Sequence, residues 1–190
     1  MSFFSFGGPK KVSYLGVDIA FGGMKLVELQ NEKGRARLVT YAYANVPAES
    51  LEKSLLSDTA AAADLLKKMM VKAKTVSKRA VSALPVSSVF SSILSVQTTN
   101  EKELKDVVAN QARKLIPLPL EEVSLDTKVI DKAEKGEAAK ANTRVLVTAA
   151  PKTLVQKYVE IFKLAGLELA WLETEAFAEI RSLVGKDRST

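Results

Sequence analysis

The chain has 190 residues, a net charge of +6 and 47% hydrophobic residues, enough to bury a core, which excludes extended disorder. Cysteine and histidine are absent. This excludes disulfides, Cys/His zinc sites and catalytic triads that use an imidazole. No apolar run reaches the roughly 18–20 residues of a membrane span, and the N-terminus lacks a signal-peptide pattern, so we expect a cytoplasmic protein.

The positive charge is spread along the chain rather than concentrated in one motif. Lysines are dispersed over predicted helices and loops, and aromatic residues make up only 6% of the sequence. Nucleic-acid binding is therefore not expected. A weak attraction to anionic lipid headgroups is compatible with this charge.

The first part of the chain predicts an antiparallel meander followed by a helix and one more strand. Apolar alternation and β-branched residues indicate the strands. The predicted strands span residues 12–20, 24–30, 35–46 and 79–84. Between the last two, an apolar stripe predicts a helix from Asp58 to Lys74, with Asp58 or Thr59 as its N-cap.

The remainder predicts a second alternation of strands and helices, which indicates α/β layering. The predicted strands span residues 87–97, 124–130, 143–150 and 167–173. The predicted helices run from a cap at Thr99 or Asn100 to Leu115, from Pro151 to Leu164, and from a cap at Thr174 to Val184. Residues 131–142 predict a solvated loop, and Trp171 is predicted to pack in the core.

The stretch LGVDIAFGGMKLVEL, residues 15–29, predicts a hairpin that presents charged groups beside two glycines. Backbone N–H groups of a glycine turn can bind phosphate, and a neighbouring lysine adds charge. Asp18, at the end of the incoming strand, is suited to hold Mg²⁺ through water. On the pattern alone, an ordinary hairpin with Asp18 and Lys25 exposed is the more frequent explanation.

Four further motifs follow in a fixed order: SALPVSSVF, ARKLIPLPLEEVSLD, RVLVTAAPK and LETEAFAEI. Together with the hairpin, they resemble the PilM family, the actin-like cytoplasmic component of the type IV pilus inner-membrane platform. IPLPLEEV and ETEAFA are more specific than the hairpin. The resemblance extends over most of the chain.

This resemblance implies an α/β fold, namely the first lobe of an actin-like, ribonuclease H-like ATPase. Residues 12–84 with 171–186 would form subdomain 1A, and 85–170 an inserted α+β subdomain 1C. Residues 1–11 would be a flexible N-terminal segment. The family's second lobe is expected to be missing from this chain, which favours a fragment.

The family binds ATP and Mg²⁺ between its two lobes. The resemblance implies that residues 15–29 of this chain correspond to the family's first phosphate-binding hairpin. The implied contacts are Asp18, Phe21, Gly22, Gly23, Met24 and Lys25. Asp18 would hold Mg²⁺ through water. Because Ala20 and Phe21 replace small residues of the family and one lobe supplies half the contacts, we expect weak or no ATP binding by this chain, and no enzymatic activity.

The resemblance also implies a partner, the N-terminal cytoplasmic peptide of a PilN-like membrane protein, bound in a cleft between 1A and 1C. Other pilus platform proteins are further expected partners, and these contacts would hold the chain at the cytoplasmic face of the inner membrane. The candidate peptide-binding residues are Leu115, Ile116, Leu118, Leu120, Val89 and Ile93. Core packing is the alternative role for each of them.

Two other functions stay open at this point. One is a working actin-like ATPase, which the missing histidines and the altered hairpin disfavour. The other is an FtsA-like cell-division protein, which the IPLPLEEV stretch disfavours relative to the pilus family.

Overall fold

The computed structural model describes residues 12–45, 55–97, 101–131 and 143–184. Its strands are β1 (Ser13–Ala20), β2 (Gly23–Glu32), β3 (Arg35–Asn45), β4 (Arg79–Leu84), β5 (Phe90–Val96), β6 (Val123–Asp131), β7 (Thr143–Pro151) and β8 (Glu168–Thr174). Its helices are α1 (Thr59–Ala73), α2 (Glu101–Leu115), α3 (Lys152–Leu164) and α4 (Glu175–Val184). The chain divides into unit 1, Met1–Ala83 with Lys157–Thr190, and unit 2, Leu84–Gln156.

Unit 1 contains a five-stranded sheet in the order β3-β2-β1-β4-β8. Antiparallel pairing joins β1 to β2 and β2 to β3, whereas β1 and β4 are parallel, as the α1 crossover requires. The α1 helix begins where the Asp58 side chain accepts a hydrogen bond from the Ala61 N–H, as predicted, and ends at Lys74 in the left-handed conformation.

A buried carboxylate links three elements of unit 1. Glu28 on β2 is 0% exposed. It accepts hydrogen bonds from the Ser13 hydroxyl at 2.7 Å, the Val76 N–H at 2.9 Å and the Ser77 N–H at 3.2 Å. A buried polar group is tolerated when it is hydrogen-bonded in this way. Glu28 therefore fixes the loop between α1 and β4 against the first two strands.

Unit 2 consists of a three-stranded antiparallel sheet in the order β5-β7-β6, and α2 contributes to its core. The alternation along β5 puts Leu94 and Val96 in that core and Ile93 on the exposed face. The buried core residues are Leu94, Val96, Val108, Ala112, Ile116, Val123, Val145, Val147 and Ala149. A sheet with one covered face and one solvated face is typical of antiparallel pairing.

Three details differ from the sequence prediction. The strand predicted from residue 87 begins at Phe90, because a 3₁₀ turn from Val86 to Ser88 follows Pro85. Pro151 is the last residue of β7 rather than the first of α3, because its fixed φ also suits an extended strand end. Trp171, expected in the core, lies on the exposed side of β8.

One boundary between the two units falls within α3, at residue 157. The predicted subdomain bounds, 12–84 with 171–186 and 85–170, stay a prediction. The fully buried side chains Tyr158, Ile161 and Phe162 of α3 fall in unit 1. The predicted caps Thr99 and Asn100, the predicted loop from residue 132 onward and segment 1–11 lie outside the described residues.

Candidate functional site

The hairpin between β1 and β2 carries the predicted nucleotide contacts. Ala20 pairs with Gly23, so Phe21 and Gly22 form a two-residue turn. Asp18 lies opposite Lys25 across the strand pair, and their side chains form an ion pair at 3.3 Å, with 41% and 70% of their surfaces exposed. The structure thus brings the predicted carboxylate and the predicted lysine together beside the β1–β2 turn.

The two glycines of this hairpin have different structural roles. Gly23 has a φ of +152°, and a Cβ on it would lie 2.2 Å from the carbonyl oxygen of Ala44 on β3. A glycine is required there by the packing of β2 against β3, with or without a ligand. A Cβ on Gly22 would meet no atom within 4 Å, so the open space that a phosphate would need lies at Gly22.

The other two predicted contact residues are placed very differently. Phe21 is exposed at the tip of the turn. Met24 is fully buried in the core of unit 1, so only its backbone is available to a ligand. The side-chain chemistry of the hairpin therefore comes from Asp18 and Lys25.

Sequence reasoning missed Tyr158 on α3. Its side chain is fully buried, and within the described part of the chain its hydroxyl has no hydrogen-bond partner. Burial, and then the carboxylates of Asp18 and Glu175, raise the pKa of Tyr158 well above its ordinary value. The hydroxyl thus stays neutral close to the candidate hairpin. The sequence did offer a signal for this residue, because Tyr158 lies on the apolar stripe of α3. A buried tyrosine hydroxyl usually has a hydrogen-bond partner, so its surroundings could have been considered as part of a site.

These residues fit part of a nucleotide site. The hairpin supplies open backbone at Gly22, one lysine and one carboxylate. No group of three or more acidic, histidine or cysteine side chains in the described ranges is arranged to hold a metal ion. Lys25 would contact phosphate and Asp18 a hydrated Mg²⁺, and the remaining contacts would have to come from elsewhere.

Unit 2 contains an open concavity of about 460 Å³ where α2 turns into β6. It is lined by Arg113, Ile116, Pro117, Leu118, Pro119, Leu120 and Glu121. Its volume lies within the range of small ligand sites. The lining is mixed: isoleucine, leucine and proline side chains lie beside one cationic and one anionic side chain, those of Arg113 and Glu121.

This concavity includes three of the six predicted peptide-binding residues, Ile116, Leu118 and Leu120. Ile116 also belongs to the buried core and Leu120 packs against it, so of these three residues Leu118 is the exposed one. Leu115 is exposed but does not line the concavity. Val89 is half-buried before β5, and Ile93 lies on the exposed sheet face, so neither contributes to it.

One backbone hydrogen bond and one side-chain hydrogen bond restrain the turn that lines the concavity. Pro119 has extended backbone angles, with φ of −56° and ψ of 138°. The Glu122 N–H donates to the Pro119 carbonyl at 2.9 Å, and the Lys152 ammonium donates to the Glu121 carbonyl at 2.7 Å. A turn restrained in this way loses little further entropy on binding.

Unit 1 contains the β3-β2-β1-β4-β8 sheet with the β1–β2 hairpin, and unit 2 is an α+β unit. These features define an α/β protein of the actin-like class, as predicted. The model of the family described as type IV pilus assembly protein PilM matches residues 16–186. The chain belongs to this PilM family.

Two solved structures show the same fold. A PilM-PilN type IV pilus biogenesis complex matches with a TM-score of 0.75 and 27% identity, over 91% of this chain and 50% of that chain. The cytoplasmic domain of EpsL, an inner-membrane component of the Vibrio cholerae type II secretion system, matches with a TM-score of 0.60 and 10% identity, over 88% and 59%. The chain therefore spans about half the length of the PilM structure that it matches.

Proposed function

We propose that this chain acts in type IV pilus assembly by binding the N-terminal cytoplasmic peptide of a PilN-like membrane protein. Membership of the PilM family and the likeness to a PilM-PilN complex support this proposal. The structural observation that supports it most directly is the open concavity at Pro117-Leu118-Pro119.

The chemistry of the concavity suits a short extended peptide. Leu118 offers an exposed apolar contact, and Arg113 and Glu121 offer one charge of each sign for fixing the direction of the peptide. An apolar centre with a polar rim is the usual anatomy of a peptide-binding surface. In this proposal unit 2 supplies at least one apolar pocket for the peptide.

Calorimetry with a synthetic peptide, the N-terminal cytoplasmic segment of a PilN-like protein, tests the proposal. We expect Leu118→Ala to weaken binding by about 1.5–3 kcal/mol, the value of burying one leucine side chain. Leu115→Ala is the matched control, because Leu115 is also an exposed leucine of the same segment but does not line the concavity. Equal losses in both variants, or no heat for the wild type at millimolar peptide, would refute the proposal.

No helix within the described ranges is both long and apolar enough to cross a membrane. We propose that the chain reaches the cytoplasmic face of the inner membrane through its PilN-like partner. The other pilus platform proteins are further proposed partners.

For nucleotide, we propose that the β1–β2 hairpin forms one half of an ATP site in the PilM-length protein, and that this chain alone binds ATP weakly or not at all. In a protein carrying both lobes, Lys25→Ala should weaken ATP binding by about 1–3 kcal/mol, the range for losing a charge-assisted bond. Lys33→Ala is the control, because Lys33 lies on the turn at the opposite end of β2. Sub-micromolar ATP binding by residues 1–190 would contradict the proposal that this chain supplies only half of the ATP site.

A further inference from the structure

The end of unit 1 opposite the hairpin gathers four chain segments at one face, which we call the basal end: residues 12–13, 30–37, 71–79 and 163–168. Backbone bonds establish their adjacency. The Asn31 N–H donates to the Val12 carbonyl, and the Glu168 N–H donates to the Lys78 carbonyl at 2.8 Å. The Ser77 hydroxyl donates to the Ser13 carbonyl at 2.8 Å. The starts of β1, β4 and β8 therefore lie side by side.

The carboxylates exposed at the basal end already have cationic partners. Glu32 forms an ion pair with Arg37 at 3.6 Å. Glu168 forms one with Arg79 at 3.7 Å, and Arg79 also stacks on the Tyr14 ring. The buried Glu28 is occupied by its own hydrogen bonds.

The other cations of this end have no such partner. They are the exposed side chains Lys33, Arg35, Lys72, Lys74, Lys78 and Lys163. Within the part of the chain that the structure describes, none of them forms an ion pair with a carboxylate. The basal end thus carries an excess of positive charge that no carboxylate in the described residues of unit 1 pairs with.

Exposed aliphatic side chains lie among these lysines. Val71 in the last turn of α1 is 77% exposed, and Val76 in the following loop is 73% exposed. Val12 and Leu164 are exposed at the same end. Lysines mixed with protruding aliphatic groups suit the boundary between headgroups and acyl chains, where the aliphatic groups can be buried.

We propose that the basal end binds directly to an anionic lipid bilayer. Each lysine near such a surface adds about 1 kcal/mol of attraction, and the valines enter the headgroup layer. This contact goes beyond the proposed peptide binding and does not depend on it. It would place the basal end on the membrane without any partner protein.

Sedimentation of the 190-residue chain with vesicles tests this directly. We expect binding to vesicles containing phosphatidylglycerol, and little binding to phosphatidylcholine alone. Lys72→Gln/Lys78→Gln/Lys163→Gln should reduce partitioning on the order of 100-fold. The control Lys105→Gln/Lys114→Gln/Lys128→Gln, in unit 2, removes the same three charges, taking the net charge from +6 to +3, and should keep most of the binding.

A second variant separates lipid from other anions. Val71→Ser/Val76→Ser keeps every charge, so it should weaken vesicle binding several-fold while leaving any binding to duplex DNA unchanged. Circular dichroism checks that each variant folds. Equal losses in the basal and control triples, no effect of the valine variant on vesicles, or binding to duplex DNA without binding to vesicles would each overturn the proposal.

Discussion

The two units are stabilised by different kinds of interaction. Among the described residues, the buried polar side chains of unit 1 are Glu28, Ser77, Ser82 and Thr174, whereas that of unit 2 is Thr143. The core cluster of unit 2 is made of aliphatic side chains from three strands and α2. Unit 1 is thus fixed by directed bonds as well as by apolar burial, and unit 2 mainly by burial.

This difference has a consequence for the candidate sites. In unit 1, the Ser82 hydroxyl donates to the Val17 carbonyl at 2.6 Å, next to Asp18, so the strand that carries Asp18 is held in register. Hydrogen bonds have a preferred direction, which apolar contacts lack. Unit 2 holds its concavity through the proline turn instead. Substitutions that remove either a buried hydrogen-bond acceptor or a buried apolar side chain test this difference between the two units.

Glu28 and Leu94 are the positions with the largest expected effects on stability, and Glu28 is the test for unit 1. Glu28→Ala leaves the Ser13 hydroxyl and the Val76 and Ser77 N–H groups without their acceptor. The free energy of unfolding should fall by about 3 kcal/mol or more, because each unsatisfied buried donor costs about 1–3 kcal/mol. Urea denaturation measures the change.

Glu28→Gln is the matched control, since it keeps the shape and one acceptor oxygen, and it should lose less than half as much stability. If both variants lose the same amount, or if neither loses more than about 1 kcal/mol, the directed bonds do not stabilise unit 1 as described.

In unit 2 the comparison predicts dependence on apolar volume. Leu94 is 6% exposed, whereas its neighbour Ile93 is 49% exposed on the other sheet face. Leu94→Ala should cost about 2–5 kcal/mol through lost burial and the cavity, and Ile93→Ala less than about 1 kcal/mol. Thermal unfolding of the two variants measures this, and equal losses would show that the Ile93 face is covered rather than solvated.

The next largest effect on stability is expected at one of the two glycines of the β1–β2 hairpin. Gly23→Ala should lower stability by about 1–3 kcal/mol, because φ is +152° and the new Cβ would clash with the Ala44 carbonyl. Gly22→Ala should change stability by less than about 0.5 kcal/mol, because its Cβ enters open space. The reverse order would mean that Gly22 is the structural glycine.

Local patterns were sufficient for most elements of the fold. Alternation predicted β1 to β4 nearly to their ends, and the Asp58 cap predicted the start of α1. Helix spacing could not show that the last two turns of α3 belong to unit 1, because an apolar stripe does not reveal which core it enters. Trp171 was misplaced for the same reason: an apolar residue on a strand has two faces to choose from.

The candidate site was only partly predictable. The pairing of Asp18 with Lys25 follows from hairpin register, which the two-residue turn determines. The proximity of Tyr158 to Asp18 and Glu175 could not be read from sequence, because the three residues lie on separate elements. The concavity in unit 2 coincides with the leucine–proline stretch, but which leucine stays exposed depends on tertiary packing.

Tyr158 gives a smaller effect, confined to alkaline pH. Its folded-state pKa is raised above the ordinary value of 10.0, so the folded state holds the proton that the unfolded state releases. The free energy of unfolding should therefore be unaffected below pH 10 and fall by up to about 1.4 kcal/mol per unit above it. Tyr158→Phe should remove this part of the slope, as measured by urea denaturation at several alkaline pH values.

The smallest expected effect on stability is at Lys25. Its ion pair with Asp18 is largely solvent-exposed, and exposed pairs contribute about 0–1 kcal/mol. Lys25→Ala should thus leave the midpoint of urea unfolding nearly unchanged while weakening ATP binding in the two-lobe protein. Lys67→Ala, which breaks the exposed pair with Asp64 on α1, is the control for ion-pair loss. A large loss of stability at Lys25 alone would mean that the pair holds the hairpin together, and a fall in ATP binding could then no longer be attributed to a lost phosphate contact.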